Sequence, residues 1–134
     1  MRRRLISSGS PYEPVVGYSR AVRAGSQVWV ACCAPIMADG GDPPPDAYSQ
    51  AKRCLEIVER ALQEAGGSLA DVVRTRIDLV RTEDFEDGGR AHGETFSEIR
   101  PANTTLTVKE LVNPSWLVEI EADAVLSSNE MVGR

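Results

Sequence analysis

Two short segments near the end of the chain carry the residue types best suited to chemistry. Residues 100–105 (RPANTT) place a guanidinium, an amide and hydroxyls just after a proline-marked helix stop, and residues 119–122 (EIEA) place carboxylates on a strand-like segment. Such groups can together hold a small polar molecule and exchange a proton with it. We therefore expect a binding or catalytic site that draws on both segments.

The composition of the chain argues against several classes of partner. With 20 acidic and 15 basic residues among 134, the net charge is −5, and the longest basic run is the triplet at residues 2–4. An acidic surface repels a phosphate backbone, so we expect no nucleic-acid partner. No segment approaches the roughly twenty apolar residues of a membrane span, so we expect no membrane partner. The chain is predicted to be one cytoplasmic domain over residues 1–134.

The cysteines and the single histidine predict neither a disulfide framework nor a metal site. Cys32, Cys33 and Cys54 are odd in number, two of them are adjacent, and His92 is the only histidine. A zinc site needs spaced cysteine or histidine pairs, which this chain lacks. We expect reduced thiols, no metal, no cofactor, and a packed, hydrogen-bonded His92.

Strand-like and helix-like segments alternate along the chain. A helix is predicted from the N-cap Asp46 to Gly66, because its apolar residues recur at spacings of three, four and seven. A second helix is predicted over residues 83–99, capped by Thr82, anchored by residues that include Phe85, and stopped by Pro101. Strands are predicted over residues 18–22, 27–36, 72–81, 104–109 and 117–126, and residues 3–7 are a candidate further strand, so the sheet is expected to have five or six strands.

The last predicted strand has two chemically different faces, because strand side chains alternate sides with a period of two. Its apolar row should pack on the helices, and its acidic row should face the other way. Arg74 and Arg76 form a basic row of the same period, so we expect the two strands to pair as an Arg/Glu ladder away from the helices. The apolar row comprises Val118, Ile120, Ala122 and Ala124, and the acidic row comprises Glu119, Glu121 and Asp123.

One face of this sheet is expected to need a second copy of the chain. Two helices can cover only one face of a five- or six-stranded sheet. The other face carries Trp29 or Val28, together with Ala31 or Cys32. An exposed apolar patch of this kind marks an interface. We therefore expect a closed homo-oligomer with sites at the seams between subunits.

A series of short motifs, spread over nearly the whole chain, matches the pattern of a known family. In order, they are GYSRAV at 17–22, AP at 34–35, EAG at 64–66, DVVRT at 71–75, DF at 84–85, RPA at 100–102 and VEIEA at 118–122. The ordered set resembles the Rid family, also called the YjgF family. The resemblance implies a chorismate-mutase-like α+β fold, with a mixed sheet and two helices on one face. It also implies a homotrimer with a central barrel and three clefts between subunits.

The resemblance implies an activity as well. Rid proteins of the best-known type are reactive intermediate deaminases, which hydrolyse imines and enamines from pyridoxal-phosphate enzymes to a 2-keto acid and ammonia. Their carboxylate clamp is an arginine two residues after the proline of the Pro-Ala pair, where this chain has Asn103. A neutral amide binds a carboxylate about tenfold more weakly than a guanidinium does. We expect an altered substrate choice, with Arg76 as a candidate replacement for the clamp.

The resemblance also assigns roles to individual positions. Tyr18 stands where the family has a cleft tyrosine, and Glu119 where it has the carboxylate that orients water. Thr105 occupies a position that often holds a cysteine, and we count it with Asn103 among the substrate-binding candidates. The alternative for Glu119 is one rung of a structural charge ladder, and for Tyr18 an ordinary strand aromatic.

A thiol is also a candidate for catalysis. Ala31 and Cys32 stand where the family commonly has Ser-Gly near the cleft. Cys32 could act as a nucleophile if a nearby cation lowered its pKa. The alternative is a small buried strand residue. Glu119 and Cys32 are thus the two catalytic candidates.

Three classes of function remain open from the sequence. The first is a hydrolase of imines or enamines, and the second is a non-catalytic trimer that binds a small metabolite or a partner enzyme. The third is the ribonuclease or translation-inhibitor activity sometimes attached to this family. The acidic balance and the lack of a histidine pair for general-base catalysis make the third the weakest.

Overall fold

The structure is a computed structural model that describes residues 2–127 of the chain. It contains one sheet of six strands and three α-helices, so the predicted mixed α+β architecture is confirmed. The strands are β1 (Arg3–Ile6), β2 (Ala21–Ala24), β3 (Gln27–Cys33), β4 (Val72–Leu79), β5 (Ala102–Thr107) and β6 (Val118–Val125), and the helices are α1 (Tyr12–Val16), α2 (Ala47–Glu64) and α3 (Phe85–Phe96).

The strands lie in the order β1-β2-β3-β6-β4-β5, which places β1 and β5 at the two edges. All neighbouring pairs are antiparallel except β4 and β5, which run parallel. A parallel pair needs a long crossover, and α3 supplies it. The last strand, β6, lies between β3 and β4 at the centre of the sheet, so its side chains have neighbours on both sides.

Helix α2 covers one face of the sheet as its periodicity predicts. Asp46 caps its first turn by accepting a hydrogen bond from the Ser49 backbone N–H at 2.9 Å. Past its end, Gly66 adopts a left-handed φ of 94°, a conformation that favours glycine. The apolar stripe is buried throughout and comprises Ala47, Ala51, Cys54, Leu55, Val58, Leu62 and Ala65.

The predicted start of the second helix is wrong. A 3₁₀ turn over Thr82–Asp84 precedes α3, and the Thr82 hydroxyl lies 3.4 Å from Thr107 Oγ1 without capping the helix. Arg81 donates two hydrogen bonds to the Asp84 carboxylate. These bonds stabilise the 3₁₀ turn, and α3 begins after it, at Phe85. Phe85 is 57% exposed, so it does not anchor α3.

The segment before β2 also differs from the prediction. Residues 12–16 form the short helix α1, and Gly17 ends it with a left-handed φ of 86°. The Tyr18 backbone N–H still donates to the Glu13 carbonyl at 3.1 Å, so the chain is turning where a strand was predicted. Strand β2 therefore begins at Ala21, and Tyr18 lies in the loop that leads into it.

The face of the sheet away from α2 and α3, here called the open face, is covered by neither of these two helices. The apolar row of β6 is buried under the helices, as predicted, whereas the open face exposes large apolar side chains. Trp29 and Val125 are each 44% exposed there, and Leu106 is 41% exposed. Within residues 2–127, no helix combines the length and the apolarity needed to cross a lipid bilayer.

Candidate functional site

The pairing of β4 with β6 places a row of charges on the open face. Arg74 lies opposite Asp123 and Arg76 opposite Glu121, which confirms the predicted strand pairing. The third rung is different, because Glu119 lies opposite Asp78. Arg76 Nε binds Asp78 Oδ1 at 3.2 Å, so its ion pair lies along its own strand. The ladder therefore ends in a pair of acids next to one arginine.

Glu119 has the electrostatic setting of a proton-exchanging group. It is partly buried, and this burial raises the pKa of its carboxyl group. The negative charge of Asp78 raises that pKa further, whereas a hydrogen bond from Cys32 and the charge of Arg20 oppose the rise. A carboxyl group of raised pKa can hold a proton at pH values where an ordinary glutamate has lost it.

Cys32 joins this acidic pair through an irregularity in β3. The register of β3 against β6 shifts between Val30 and Cys33. Cys32 Sγ then lies 3.8 Å from Asp78 Oδ2, while Cys33 is buried in the core. Burial and the nearby Glu119 carboxylate raise the pKa of the Cys32 thiol far above its ordinary value. In the single subunit, burial and the surrounding carboxylates outweigh the nearby Arg76 guanidinium, so the thiol stays protonated and acts as a donor.

Tyr18 is held beside this group by an arginine that the sequence analysis did not single out. Arg20 Nη2 donates to the Tyr18 hydroxyl at 3.1 Å, and Arg20 Nη1 donates to the Cys32 carbonyl at 2.9 Å. Tyr18 lines a shallow groove on the open face together with Trp29 and Glu121. The signal for Arg20 in the sequence was a charged residue directly before the apolar pair Ala21 and Val22.

Asn103 and Thr105 lie on the other side of the sheet from Glu119. Asn103 Nδ2 donates to Thr75 Oγ1 at 3.0 Å, and Thr105 Oγ1 donates to Asn103 Oδ1 at 2.8 Å. Thr75 is buried under α3, where its hydroxyl lies 2.8 Å from His92 Nε2. Both ends of the Asn103 amide are therefore engaged within the subunit.

The direction of this hydrogen-bond chain follows from the charge state of His92. Burial lowers the pKa of His92, which favours the neutral ring. The Thr75 oxygen accepts from Asn103, so its own hydroxyl proton is available for the unprotonated Nε2 of the ring. His92 is thus a hydrogen-bonded helix residue, as the sequence analysis expected.

A single subunit divides the predicted site residues into two groups. Glu119, Cys32 and Arg76 share the open face with the groove that Tyr18 lines, while Asn103 and Thr105 sit on the helix-facing side of the edge strand β5. In residues 2–127, no cluster of three or more His, Cys, Asp or Glu side chains could hold a metal ion.

Comparison with known proteins identifies the family. A sequence model described as Endoribonuclease L-PSP matches residues 9–126. The chain belongs to the L-PSP family. This family is the Rid or YjgF family of the sequence analysis, and the six-stranded sheet described above is its fold.

Curated members of the L-PSP family match nearly the whole chain. An uncharacterised protein of Streptomyces coelicolor is 36% identical over 121 residues, which is 90% of each chain. The 3-aminoacrylate deaminase RutC of Acinetobacter baylyi is 32% identical over 121 residues, covering 90% of this chain and 94% of its own.

Solved structures of L-PSP family members superpose on the fold. A Mycobacterium tuberculosis protein of the YjgF/YER057c/UK114 family has a TM-score of 0.86 and 42% identity, covering 93% of this chain and 100% of its own. Escherichia coli TdcF, solved with bound serine, has a TM-score of 0.78 and 27% identity, covering 92% of this chain and 94% of its own.

Proposed function

We propose that this L-PSP family protein hydrolyses imines or enamines of small metabolites in clefts between the subunits of a homotrimer. The observation that carries the proposal is the raised pKa of Glu119, which lies on an uncovered face next to a thiol donor. The name of the Acinetobacter baylyi relative, a 3-aminoacrylate deaminase, supports an enamine as the substrate class.

The proposed chemistry needs one group that can both give and take a proton. Protonated Glu119 donates its proton to the nitrogen of an imine, or to the carbon β to the nitrogen of an enamine, which gives an iminium ion with an electrophilic carbon. The resulting carboxylate then takes a proton from water as the water oxygen bonds to that carbon. The reprotonated Glu119 then gives this proton to the amino nitrogen and takes the proton of the new hydroxyl group, so the carbon–nitrogen bond breaks, ammonia leaves, a carbonyl compound remains, and Glu119 is again protonated. The Cys32 thiol donates a hydrogen bond to the carboxylates during this cycle.

The cleft is proposed to combine residues of two copies of the chain. Glu119 and Tyr18 line the open face of one subunit, whereas Asn103 and Thr105 lie on the edge strand β5. An edge strand is free to approach a neighbour, and the open face needs a cover. Bringing the β5 edge of one subunit against the open face of the next would unite the two groups around a central barrel.

Substrate choice is proposed to depend on Asn103. Its amide already serves Thr75 and Thr105, so only one N–H of the amide remains for a substrate. Arg76 keeps a charge on the open face but is bound to Asp78. We propose Arg76 as a secondary substrate contact, and a substrate that is less dependent on a carboxylate clamp than a 2-imino acid.

Ammonia release tests the proposed activity. The purified protein is coupled to a dehydratase that releases a 2-imino acid, and ammonia is followed with time. We expect acceleration over buffer, a loss of at least about a hundredfold in Glu119→Gln, and little change in Asp123→Asn, a control on the same strand and face. No acceleration by a well-folded oligomer, with this substrate or with 3-aminoacrylate, would remove the hydrolase assignment.

A restored clamp tests the role of Asn103. Because a guanidinium binds a carboxylate more strongly than an amide, Asn103→Arg is expected to raise kcat/KM for the 2-imino acid by about tenfold. A neutral enamine should not show this gain. An equal effect on both substrates would contradict a carboxylate-specific role of this position.

The second candidate function is a non-catalytic trimer that binds a small metabolite. The observation that favours it is the engagement of both Asn103 and Arg76 within the subunit. A small molecule that co-purifies with the protein, in the absence of any accelerated ammonia release, would support this function over the hydrolase.

A further inference from the structure

Arg20 is a buried arginine without a direct carboxylate contact. Its residue surface is 6% exposed, and among residues 2–127 it forms no ion pair with an aspartate or glutamate. An isolated charge in a protein interior is costly, so buried arginines are nearly always paired with an anion. Two carboxylates lie near Arg20 without contacting it: its charge opposes the rise in the pKa of Glu119, and Glu13 is reached through the Ser8 hydroxyl, which donates to Glu13 at 2.6 Å. Because neither carboxylate binds the guanidinium directly, Arg20 can take a further anion.

The neutral contacts of Arg20 leave its hydrogen-bonding capacity partly unused. Two contacts are well placed, to the Cys32 carbonyl at 2.9 Å and to the Tyr18 hydroxyl at 3.1 Å. The other two are weak, because the Ser8 hydroxyl lies 3.4 Å from Nε and the Cys33 acceptor is a sulfur. Nη2 has two N–H groups and one acceptor, so a donor remains for a ligand oxygen.

A cavity of about 470 Å³ opens beside this arginine on the helix side of the sheet. It lies between α2 and residues 7–10, and its volume falls in the range of small-molecule sites. One part of its wall is polar, with Arg20 and Ser8, and the other part is apolar, with Ile36, Ile57 and Ala61.

The other charges around this cavity compensate one another. Arg53 pairs with Glu56 at 3.1 Å, and Arg60 pairs with Glu64 at 3.2 Å. Arg20 is the charge in the described wall that forms no direct ion pair. A single cation facing an apolar wall matches a monovalent anion that carries a short hydrocarbon chain.

We propose that each subunit binds a small aliphatic carboxylic acid in this cavity, with the carboxylate on Arg20 and the chain against Ile57 and Ala61. The site lies within one subunit and across the sheet from the Glu119 cleft, so it goes beyond the proposed hydrolase. Arg20 also donates a hydrogen bond to the Tyr18 hydroxyl, so a ligand that moves Arg20 in the cavity also moves Tyr18 on the open face.

Titration with butanoate, followed by backbone amide NMR shifts, tests this proposal. Saturable shifts are expected at Ser8, Arg20 and Ile57. Butanamide, which has the same shape without the charge, and inorganic phosphate, which lacks the apolar chain, should each bind at least tenfold more weakly. Equal binding of the amide, preferential binding of phosphate, or shifts confined to Asn103 and Glu119 would overturn the proposal.

One variant and a matched control test whether the acid binds in the cavity. Arg20→Gln is expected to weaken butanoate binding at least tenfold. Arg23→Gln should change the affinity for butanoate by no more than about twofold. Arg23 is close to Arg20 in the sequence and also donates to backbone carbonyls, but it lies outside the cavity wall. Unchanged affinity in Arg20→Gln would overturn the proposal.

Should Arg20→Gln fail to fold, Ile57→Trp provides an independent test. This change keeps Arg20 and fills the apolar end of the cavity, so butanoate binding should be lost while the folded NMR spectrum persists. Full binding by Ile57→Trp would overturn the proposal. Ammonia release is measured separately, so a failed hydrolase assignment leaves this test intact.

Discussion

The carboxyl group of Glu119 lies beside the thiol of Cys32 and the carboxylate of Asp78, in a partly buried setting. Burial and the charge of Asp78 raise the pKa of Glu119, and burial and the charge of Glu119 raise the pKa of Cys32, because burial weakens solvent screening. The same arrangement that keeps the thiol protonated makes the Glu119 carboxyl a better proton carrier. The protonation states of Glu119 and Cys32 therefore depend on which charged side chains the sheet places next to them.

Replacing Glu119 should change how stability depends on pH. The folded protein raises the pKa of Glu119 above its ordinary value of 4.5, so the folded state binds this proton more tightly than the unfolded state does. The stabilisation is therefore present at low pH and is lost as pH rises through the folded pKa. Relative to Glu119→Gln, the wild-type protein should lose free energy of unfolding in denaturant titrations as the pH rises above the ordinary glutamate pKa of 4.5. Parallel profiles for the two proteins would contradict a raised pKa.

The Cys32 thiol should react slowly with alkylating agents. The thiolate is the reactive form, and burial together with Glu119 raises the pKa of this thiol. With iodoacetamide at pH 8, we expect labelling at least about tenfold slower than that of a free thiol. Mass spectrometry locates the label, and Cys32→Ser should remove any residual labelling at this position. Rapid modification of Cys32 would show that a cation reaches it in the assembled protein.

At the scale of elements, the connections around α2 and α3 set the geometry of the sheet. The end of α2 is tied to β2, because Arg23 Nη1 donates to the Ala65 carbonyl at 2.7 Å. The edge strand β5 is tied to α3 through Thr75 and His92. These bonds hold the edge strand and the helix layer in one orientation, on which any cleft against a neighbour depends.

Two glycine-to-alanine changes should have opposite effects on stability. Gly66→Ala places a side chain at a left-handed φ of 94°, with its Cβ 2.7 Å from Arg23 Nη1, and should destabilise the fold by about 1–2 kcal/mol. Gly89→Ala lies on the exposed side of α3 with no atom within 4 Å, and should stabilise it by about 0.5–1 kcal/mol. Chemical denaturation measures both, and a stabilising Gly66→Ala would contradict the role of this helix end.

At the scale of the whole molecule, the two faces of the sheet differ in how much of their surface is exposed. The helix face is closed by α2 and α3, while the open face exposes Trp29, Leu106 and Val125 in the single subunit. Apolar side chains distributed over one face lose exposed area only when another chain covers them. Assembly is therefore the step that would turn an exposed acidic face into a cavity with controlled access to water.

Light scattering should report a particle of three times 14.5 kDa at micromolar concentration. Trp29→Glu, which places a charge on the open face, should shift the population toward single subunits. Val112→Glu is the matched control, because Val112 is 81% exposed in the loop before β6. A lone 14.5 kDa particle of the wild-type protein would contradict both the assembly and the shared clefts.

The sequence by itself determined the elements whose patterns repeat. Helix α2, the two faces of β6 and its pairing with β4 follow from local periodicity and charge, because each face of a regular element meets one environment. The tertiary structure alone decided that Glu119 opposes Asp78, that Thr82 does not cap α3, that Asn103 is linked to His92 through Thr75, and that Arg20 is buried without a direct ion pair. Strand register, bulges and the packing of loops depend on contacts between residues distant in the chain, and no short motif encodes them.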